Sequence, residues 1–219
     1  EMLDDQRQLI SFVGELAAAL VRAAVHPRRI RRRDLLDVAE KAGVNALPVV
    51  SLLGLLVGVI LAFQMASPLR RQGAESMIPM IVAFSLIREL GPLITAVIVA
   101  GRSGSAFAAE IGTMKVTEEL AALKTMGLDP TQFLVIPRVL GAILVTPLLT
   151  IYSMLLGLAG GGLVMLTMGY SFRFYVNQVT ESIKVHDFLG GVFKSLVFAL
   201  IIAGVGCLRG SQTKSGPGA

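Results

Sequence analysis

The sequence holds a single cysteine, Cys207, so an internal disulfide is excluded, and nothing near it resembles a metal-ligand set. Placed inside an apolar run, Cys207 reads as a small buried filler. Charge is scarce too. Charged residues make up 16% of the chain and apolar ones 54%, with a mean hydropathy of +0.72. A soluble domain needs more polar surface than this to cover its core. The aromatics are not interleaved with the basic residues, so the net charge of +5 does not describe a base-stacking surface for nucleic acid. The chain has no Gly-x-x-x-x-Gly-Lys-Ser/Thr loop and cannot cradle ATP in that way. Neither His26 nor His186 lies near a Ser or Cys nucleophile or at a metal-like spacing. No soluble catalytic domain, metal or cofactor of its own is expected. Residues Glu1 to Gln8 are polar and acidic, unlike a cleavable signal, and a start at Glu1 instead of Met leads us to expect a missing N-terminal part.

What the sequence has in abundance is apolar length. Leu47 to about Ser67 carries no charge over about 20 residues, or about 30 Å of helix, the thickness of a bilayer core. A second apolar region runs from Met77 to Ala100, broken by Arg88 and Glu89. A third, Val139 to Met168, is thirty residues without a charge, so tilting or bending near Pro147 is predicted. The fourth covers about Gly190 to Leu208. Gly54-x-x-x-Gly58 and Gly157-x-x-x-Gly161 are small-residue patterns for close helix contact. Tyr170, Phe172, Phe174 and Tyr175 stand where an interfacial aromatic belt belongs.

These runs predict an all-α fold, a polytopic transmembrane helical bundle of about four spans over residues 47–208. Residues 1–46 precede it. Within them, 9–26 shows helical periodicity but is interrupted by Glu15 and Arg22, too charged to span, and is predicted to lie on the membrane surface as an amphipathic interfacial helix. The polybasic stretch His26–Arg33 behind it reads as an anchor for anionic headgroups. Residues 209–219 form a Gly/Ser/Pro tail without order signals. Lys and Arg number eight, four and two in segments 1–46, 101–138 and 209–219, but two each in 68–76 and 169–189. That asymmetry places the first set, and with it the N-terminus, in the cytoplasm.

Two features carry function. Arg88 and Glu89 sit inside a span, where each charge costs roughly 2.5–3.5 kcal/mol at the bilayer centre and persists only when facing protein or a wet cavity. Adjacent helical positions point about 100° apart, so the two need not pair with each other. Gly91-Pro92 follows at once and can loosen the helix. A structural ion pair locking two helices is the plainer alternative. The second feature is the polar segment 101–138. Thr117 is predicted to cap a short helix with Glu118 and Glu119 in its first turn and Lys124 near its other end, stopped by Gly127 and Asp129-Pro130. Leu120, Ala121 and Leu123 give it a modest apolar side. About ten residues are too few to be stable alone, so it docks either on its own spans or on a cytosolic partner. The glycines of Gly101-Arg-Ser-Gly104 follow a small-residue helical pattern and read as helix packing, not a phosphate cradle.

The run Leu86-Ile-Arg88-Glu89-Leu90-Gly91-Pro92, then Ala100-Gly-Arg-Ser-Gly-Ser105, then Ala109-Glu110-Ile-Gly112-Thr-Met114-Lys-Val-Thr117-Glu118 closely resembles the MlaE/YrbE permeases. Met126-Gly-Leu-Asp129-Pro130 and Pro137-Arg138 continue the likeness, which extends from about residue 9 to the end. The resemblance implies a homodimeric membrane subunit of an ABC transporter that moves phospholipids between the inner and outer membranes of Gram-negative bacteria. It implies two ATPase subunits that bind ATP and Mg, a periplasmic ring of MCE proteins and, in some systems, a small STAS-domain protein. It further implies that Glu110 to Met126 forms a coupling helix, centred near 114–127, seated on the ATPase. Glu110, Lys115, Thr117, Glu118 and Glu119 would face that partner, with Leu120 and Leu123 filling a groove. Leu61, Gln64, Leu69, Arg88, Glu89 and Leu90 match positions near a lipid cavity opening to the periplasm. The family has a further span beyond this chain's last residue, so a shortened chain or a lost span is expected. Two rival readings stand beside this one: an ion- or proton-coupled secondary transporter using Arg88 and Glu89, and a membrane anchor without transport.

Overall fold

The computed structural model describes residues 2–25, 32–127 and 129–213. Most of the polybasic stretch, residues 26–31, and the tail beyond Thr213 lie outside the described residues. Among those described, every regular element is helical. Four helices are long and apolar enough to cross a membrane: Leu47–Arg71, Glu75–Val116, Thr131–Thr167 and Val185–Gln212. Each covers one of the predicted runs to within a residue and extends past it at one end or both. Backbone hydrogen bonding continues beyond the apolar stretch, because a helix ends where capping or backbone chemistry stops it and not where hydropathy falls.

The elements are α1 (Met2–Val25), α2 (Arg32–Val44), α3 (Leu47–Arg71), α4 (Ile78–Ser85), α5 (Gly91–Val99), α6 (Ser105–Val116), α7 (Glu119–Thr125), α8 (Ile136–Thr167), α9 (Phe172–Ser182) and α10 (Val185–Gln212). Single π-helical turns join α4 to α5 at Leu86–Leu90, join α5 to α6 at Ala100–Gly104, and lead into α8 at Thr131–Val135. The chain divides into two compact units.

One unit comprises Glu1–Val44, Val99–Val145 and Phe198–Ala219. Its core joins Leu16 and Ala19 of α1, Phe107 and Ile111 of α6, Val139 and Ala142 of α8, and Ala199, Ala203 and Cys207 of α10. Helix α1 is amphipathic, with one side packed on this core. It buries Leu16 and Ala19 in this core and leaves Val13, Val21 and Val25 exposed. Small residues set the spacing: a methyl group on Gly206 would stand 2.6 Å from the Gly104 carbonyl. That contact accounts for Gly104 as a packing residue. Helix α2 has no counterpart among the predicted elements. Asp34 in its first turn and Lys41 in its last suit the helix dipole, and Val38 packs against Gly141.

The other unit comprises Asn45–Ile98 and Thr146–Val197. Both glycine patterns work here, and against each other. A methyl group on Gly58 would collide with the Gly157 backbone, and one on Gly160 with the Leu55 carbonyl, so α3 and α8 touch backbone to backbone. Ala62, Ile78, Val82, Leu86, Val164 and Met165 build the adjoining core. The predicted aromatic belt is largely inward instead. Tyr175 is buried and donates to the Leu158 carbonyl at 2.7 Å, and Tyr170 donates to Glu75 Oε2 at 3.1 Å while stacking on Phe174. Of the four, Phe172 stands out as a largely exposed aromatic. Helix α9, which carries three of them, was hidden by its mixed composition. It starts where the Ser171 hydroxyl accepts from the Phe174 amide.

Candidate functional site

Proline creates the first site. Pro92 has no N–H, and its ring crowds the carbonyl four residues back, which belongs to Arg88. The helix relieves this by widening: the Gly91 amide donates to the Leu86 carbonyl, five residues earlier, and Leu86–Leu90 becomes a π turn. The Arg88 carbonyl, without a helical donor from Pro92, accepts from Lys194 Nζ at 3.1 Å. Glycine supplies the approach. Gly191, one turn before Lys194, brings α10 so close to the Ile87 carbonyl that no side chain would fit between them.

The same ammonium donates to Glu89 Oε1 at 2.6 Å. Arg88 Nε lies 3.7 Å from that oxygen, Arg88 Nη1 lies 3.9 Å from Asp187 Oδ1, and the guanidinium sits 5.1 Å above the Phe84 ring. Two cations and two carboxylates thus share one end of α10 and one π turn, and their formal charges cancel. Arg88, Glu89 and Lys194 remain substantially exposed while Asp187 is mostly covered. Sequence reasoning singled out Arg88 and Glu89 but missed Asp187 and Lys194, which lie about a hundred positions away. The available signal was that Lys194 is the other cation inside an apolar run.

The remaining residues matched to a lipid cavity fall in the same unit, on α3 and the π turn. Leu61, Leu69 and Leu90 are half-buried against one apolar cluster, whereas Gln64 is exposed. Beside Gln64, α3 also exposes Leu56, Ile60 and Phe63. Helix α3 is the least covered of the four long helices. An apolar face with one amide is suited to acyl chains and offers nothing to a hydrophilic solute.

The second site lies in the other unit. The predicted single helix from Glu110 to Met126 is broken in two. Thr117 does not open the second piece but closes the first: its hydroxyl donates to the Thr113 carbonyl at 3.0 Å, and its backbone caps α6. Glu118 then adopts φ 60, a left-handed conformation rare outside glycine, and its carbonyl accepts from the Ala121 and Ala122 amides to start α7. Gly127, at φ 73, ends α7, and the Asp129 carboxylate accepts from the Thr131 amide at 3.0 Å. The predicted stop therefore stands where Gly127 and Asp129-Pro130 were read.

The seven residues matched to a coupling helix separate into two groups. Thr117, Glu118 and Glu119 are exposed at the turn, and Met126, past the other end of α7, is exposed as well. Leu120 packs on the core of its own unit, and Leu123 is half-buried. Glu110 is engaged internally: its Oε2 accepts from Arg138 Nη2 at 2.9 Å and Nε at 3.2 Å, and Arg138 also donates to the Leu134 carbonyl at 2.9 Å. Lys115 donates to the Ser211 carbonyl at 2.6 Å. The Glu110–Arg138 pair closes the base of the excursion that carries α7. Sequence reasoning quoted Arg138 but gave it no role.

Comparison with known proteins follows the same lines. The family described as Permease MlaE matches residues 35–219. The chain is 41% identical over 190 residues to a probable ABC transporter permease protein of Synechocystis sp., covering 86% of this chain and 72% of that one. It is 35% identical over 214 residues to the intermembrane phospholipid transport system permease protein MlaE of Haemophilus influenzae, covering 93% and 81%. It is also 32% identical over 206 residues to the chloroplastic protein trigalactosyldiacylglycerol 1 of Arabidopsis thaliana, covering 94% and 57%.

Proposed function

The chain belongs to the MlaE permease family, and on that premise we propose that it is the membrane subunit of an ABC transporter that carries phospholipid from one membrane to another. The observation that carries this reading is the match across residues 35–219, within which falls the charged π turn of an otherwise apolar span. A phospholipid needs an apolar wall for its chains and a few charges for its headgroup. Leu61, Leu69 and Leu90 with the exposed side of α3 supply the first, and Arg88, Glu89 and Lys194 the second. A second copy of the chain would close the lipid path along the exposed face of α3.

The energy comes from a partner ATPase, present in two copies with its own ATP and Mg. The element that meets it is the turn at Thr117–Glu118 with the exposed side of α7. Its inner side is already committed to this chain's own core through Leu120, so the partner contact rests on Glu118, Glu119 and Met126. A periplasmic ring of MCE proteins, with a STAS-domain protein in some systems, completes the assembly. The protein sits in a bacterial inner membrane with its N-terminus in the cytoplasm. Supporting this orientation, residues 1–46, 117–130 and 213–219 hold eight, one and one Lys or Arg, against none in 72–74 and two in 168–184. A secondary transporter using Arg88 and Glu89 as an ion relay is not favoured, since Lys194 holds Glu89 and the relatives are named as ABC permeases.

The test is reconstitution of the chain with its co-purified ATPase in phospholipid vesicles. ATP-dependent lipid transfer is expected, with lipid-stimulated ATP hydrolysis abolished by Glu118→Lys although the spans still insert. Transfer driven by an ion gradient without ATP would overturn the reading, as would normal coupling in the Glu118→Lys protein.

A further inference from the structure

The unit that carries α7 also contains a cleft of about 600 Å³ that none of the Arg88 cluster lines. Phe12, Ile111, Leu134 and Val135 form its apolar floor, buried or half-buried, while its charged groups, Glu15 and Arg22 of α1, Lys115 of α6 and Asp129 beyond α7, are all exposed. This is an amphiphile's gradient, hydrocarbon at the base and ions above. The volume is ordinary for a small-ligand site. Its walls are also at the right level: an amphipathic helix, the last turns of one spanning helix at Cys207 and Ser211, and the first turn of another at Thr131. Spanning-helix ends and amphipathic helices meet the headgroup layer of a bilayer.

The charges select among headgroups. Two cations alone would favour any anionic lipid; here two carboxylates stand with them. Among the described residues, Lys115 spends one N–H on the Ser211 carbonyl and keeps two, and Arg22 donates through Nε to the Ala18 carbonyl with both terminal nitrogens still available to a phosphate. Glu15 and Asp129 then face a cation on the same ligand. We propose that this cleft is a headgroup site for a membrane phospholipid bearing both a phosphate and a primary ammonium group, separate from the transported lipid. Leu120 lines the cleft from α7, so the bound lipid braces the helix behind the Glu118 turn. The inference rests on the membrane-spanning reading of the helices and not on the coupling role proposed above.

The complete transporter in nanodiscs of phosphatidylethanolamine, phosphatidylcholine or phosphatidylglycerol provides the test, with lipid retained per chain counted by native mass spectrometry. One phosphatidylethanolamine beyond the transported lipid is expected, with occupancy reduced at least tenfold by Arg22→Ala and by Glu15→Ala. Leu134→Trp, which fills the floor and keeps every charge, should expel the same lipid. Equal retention of all three lipids, or retention unaffected by these substitutions, would overturn the site. Soluble phosphoethanolamine displacing the lipid at comparable concentration would overturn the assignment to a membrane lipid.

Discussion

Lys194 Nζ reaches two acceptors on the π turn, Glu89 Oε1 at 2.6 Å and the Arg88 carbonyl at 3.1 Å. One ammonium from α10 thus serves a carboxylate and the backbone group that Pro92 leaves without its helical donor. Removing either member takes from the other its shortest ionic contact, leaving Glu89 with Arg88 at 3.7 Å or Lys194 with the Arg88 carbonyl. Lys194→Met and Glu89→Gln should each slow lipid transfer about tenfold, equivalent to about 1.4 kcal/mol of barrier. The double substitution should cost little more than one alone, because both remove the same interaction. Transfer rates in reconstituted vesicles decide this, and multiplicative losses would show that the two residues act separately.

The contact between α3 and α8 predicts a sharp contrast between glycines. Gly58→Ala forces a methyl group against the Gly157 backbone, an overpacking that costs about 1–3 kcal/mol. Gly14→Ala in α1 meets nothing within 4 Å and should gain up to about 1 kcal/mol of helix stability. Thermal midpoints in detergent should therefore fall for the first and hold or rise for the second.

Glu118 separates stability from coupling. At φ 60 it carries a backbone strain of roughly 1 kcal/mol, which glycine would relieve at a similar cost in unfolded-chain entropy. Glu118→Gly should leave the thermal midpoint nearly unchanged yet lose lipid-stimulated ATP hydrolysis. Glu118→Val, branched at Cβ, should lower the midpoint as well. Coupled hydrolysis that survives in the glycine variant would remove the carboxylate from the partner contact.

Burial pushes the Tyr175 phenol up to about 12, from an ordinary value of 10.0. The fold therefore favours the neutral, donating form. The stability this contributes is full below pH 10 and is lost as pH rises toward about 12, where the phenol ionises in the folded protein. Tyr175→Phe should cost about 1 kcal/mol through the lost bond to the Leu158 carbonyl and should abolish that alkaline dependence. Unfolding midpoints measured across this range, with phenolate absorbance as the ionisation signal, test both parts.

Hydropathy made the four spans legible because apolar length is a property of each segment by itself, and the two glycine patterns were legible for the same reason. Their mutual contact was not, since neither pattern names its partner. The π turns escaped because no composition distinguishes a bond to the fifth residue from one to the fourth; only Pro92, in hindsight, points at the first of them. Thr117 was given the wrong helix: a threonine between two helical stretches can close one or open the next, and the left-handed Glu118 decides which. Asp187 and Lys194 complete the charged cluster from a helix remote in sequence. Leu120 shows the same limit, since its spacing reveals an apolar side but not what that side rests on.

A π turn also acts as a phase shifter. Each one adds a residue to the helix without adding a turn, so every side chain after it is rotated by about 100° relative to an uninterrupted helix. The helix from Glu75 to Val116 contains two such shifts, one on each side of α5. Its segments can therefore present their apolar stripes to different neighbours without a break in the helical hydrogen bonding. Deleting a single residue from Leu86–Leu90 would restore an unbroken repeat and turn everything downstream to the wrong neighbour. A one-residue deletion there should be far more damaging than most substitutions at the same positions.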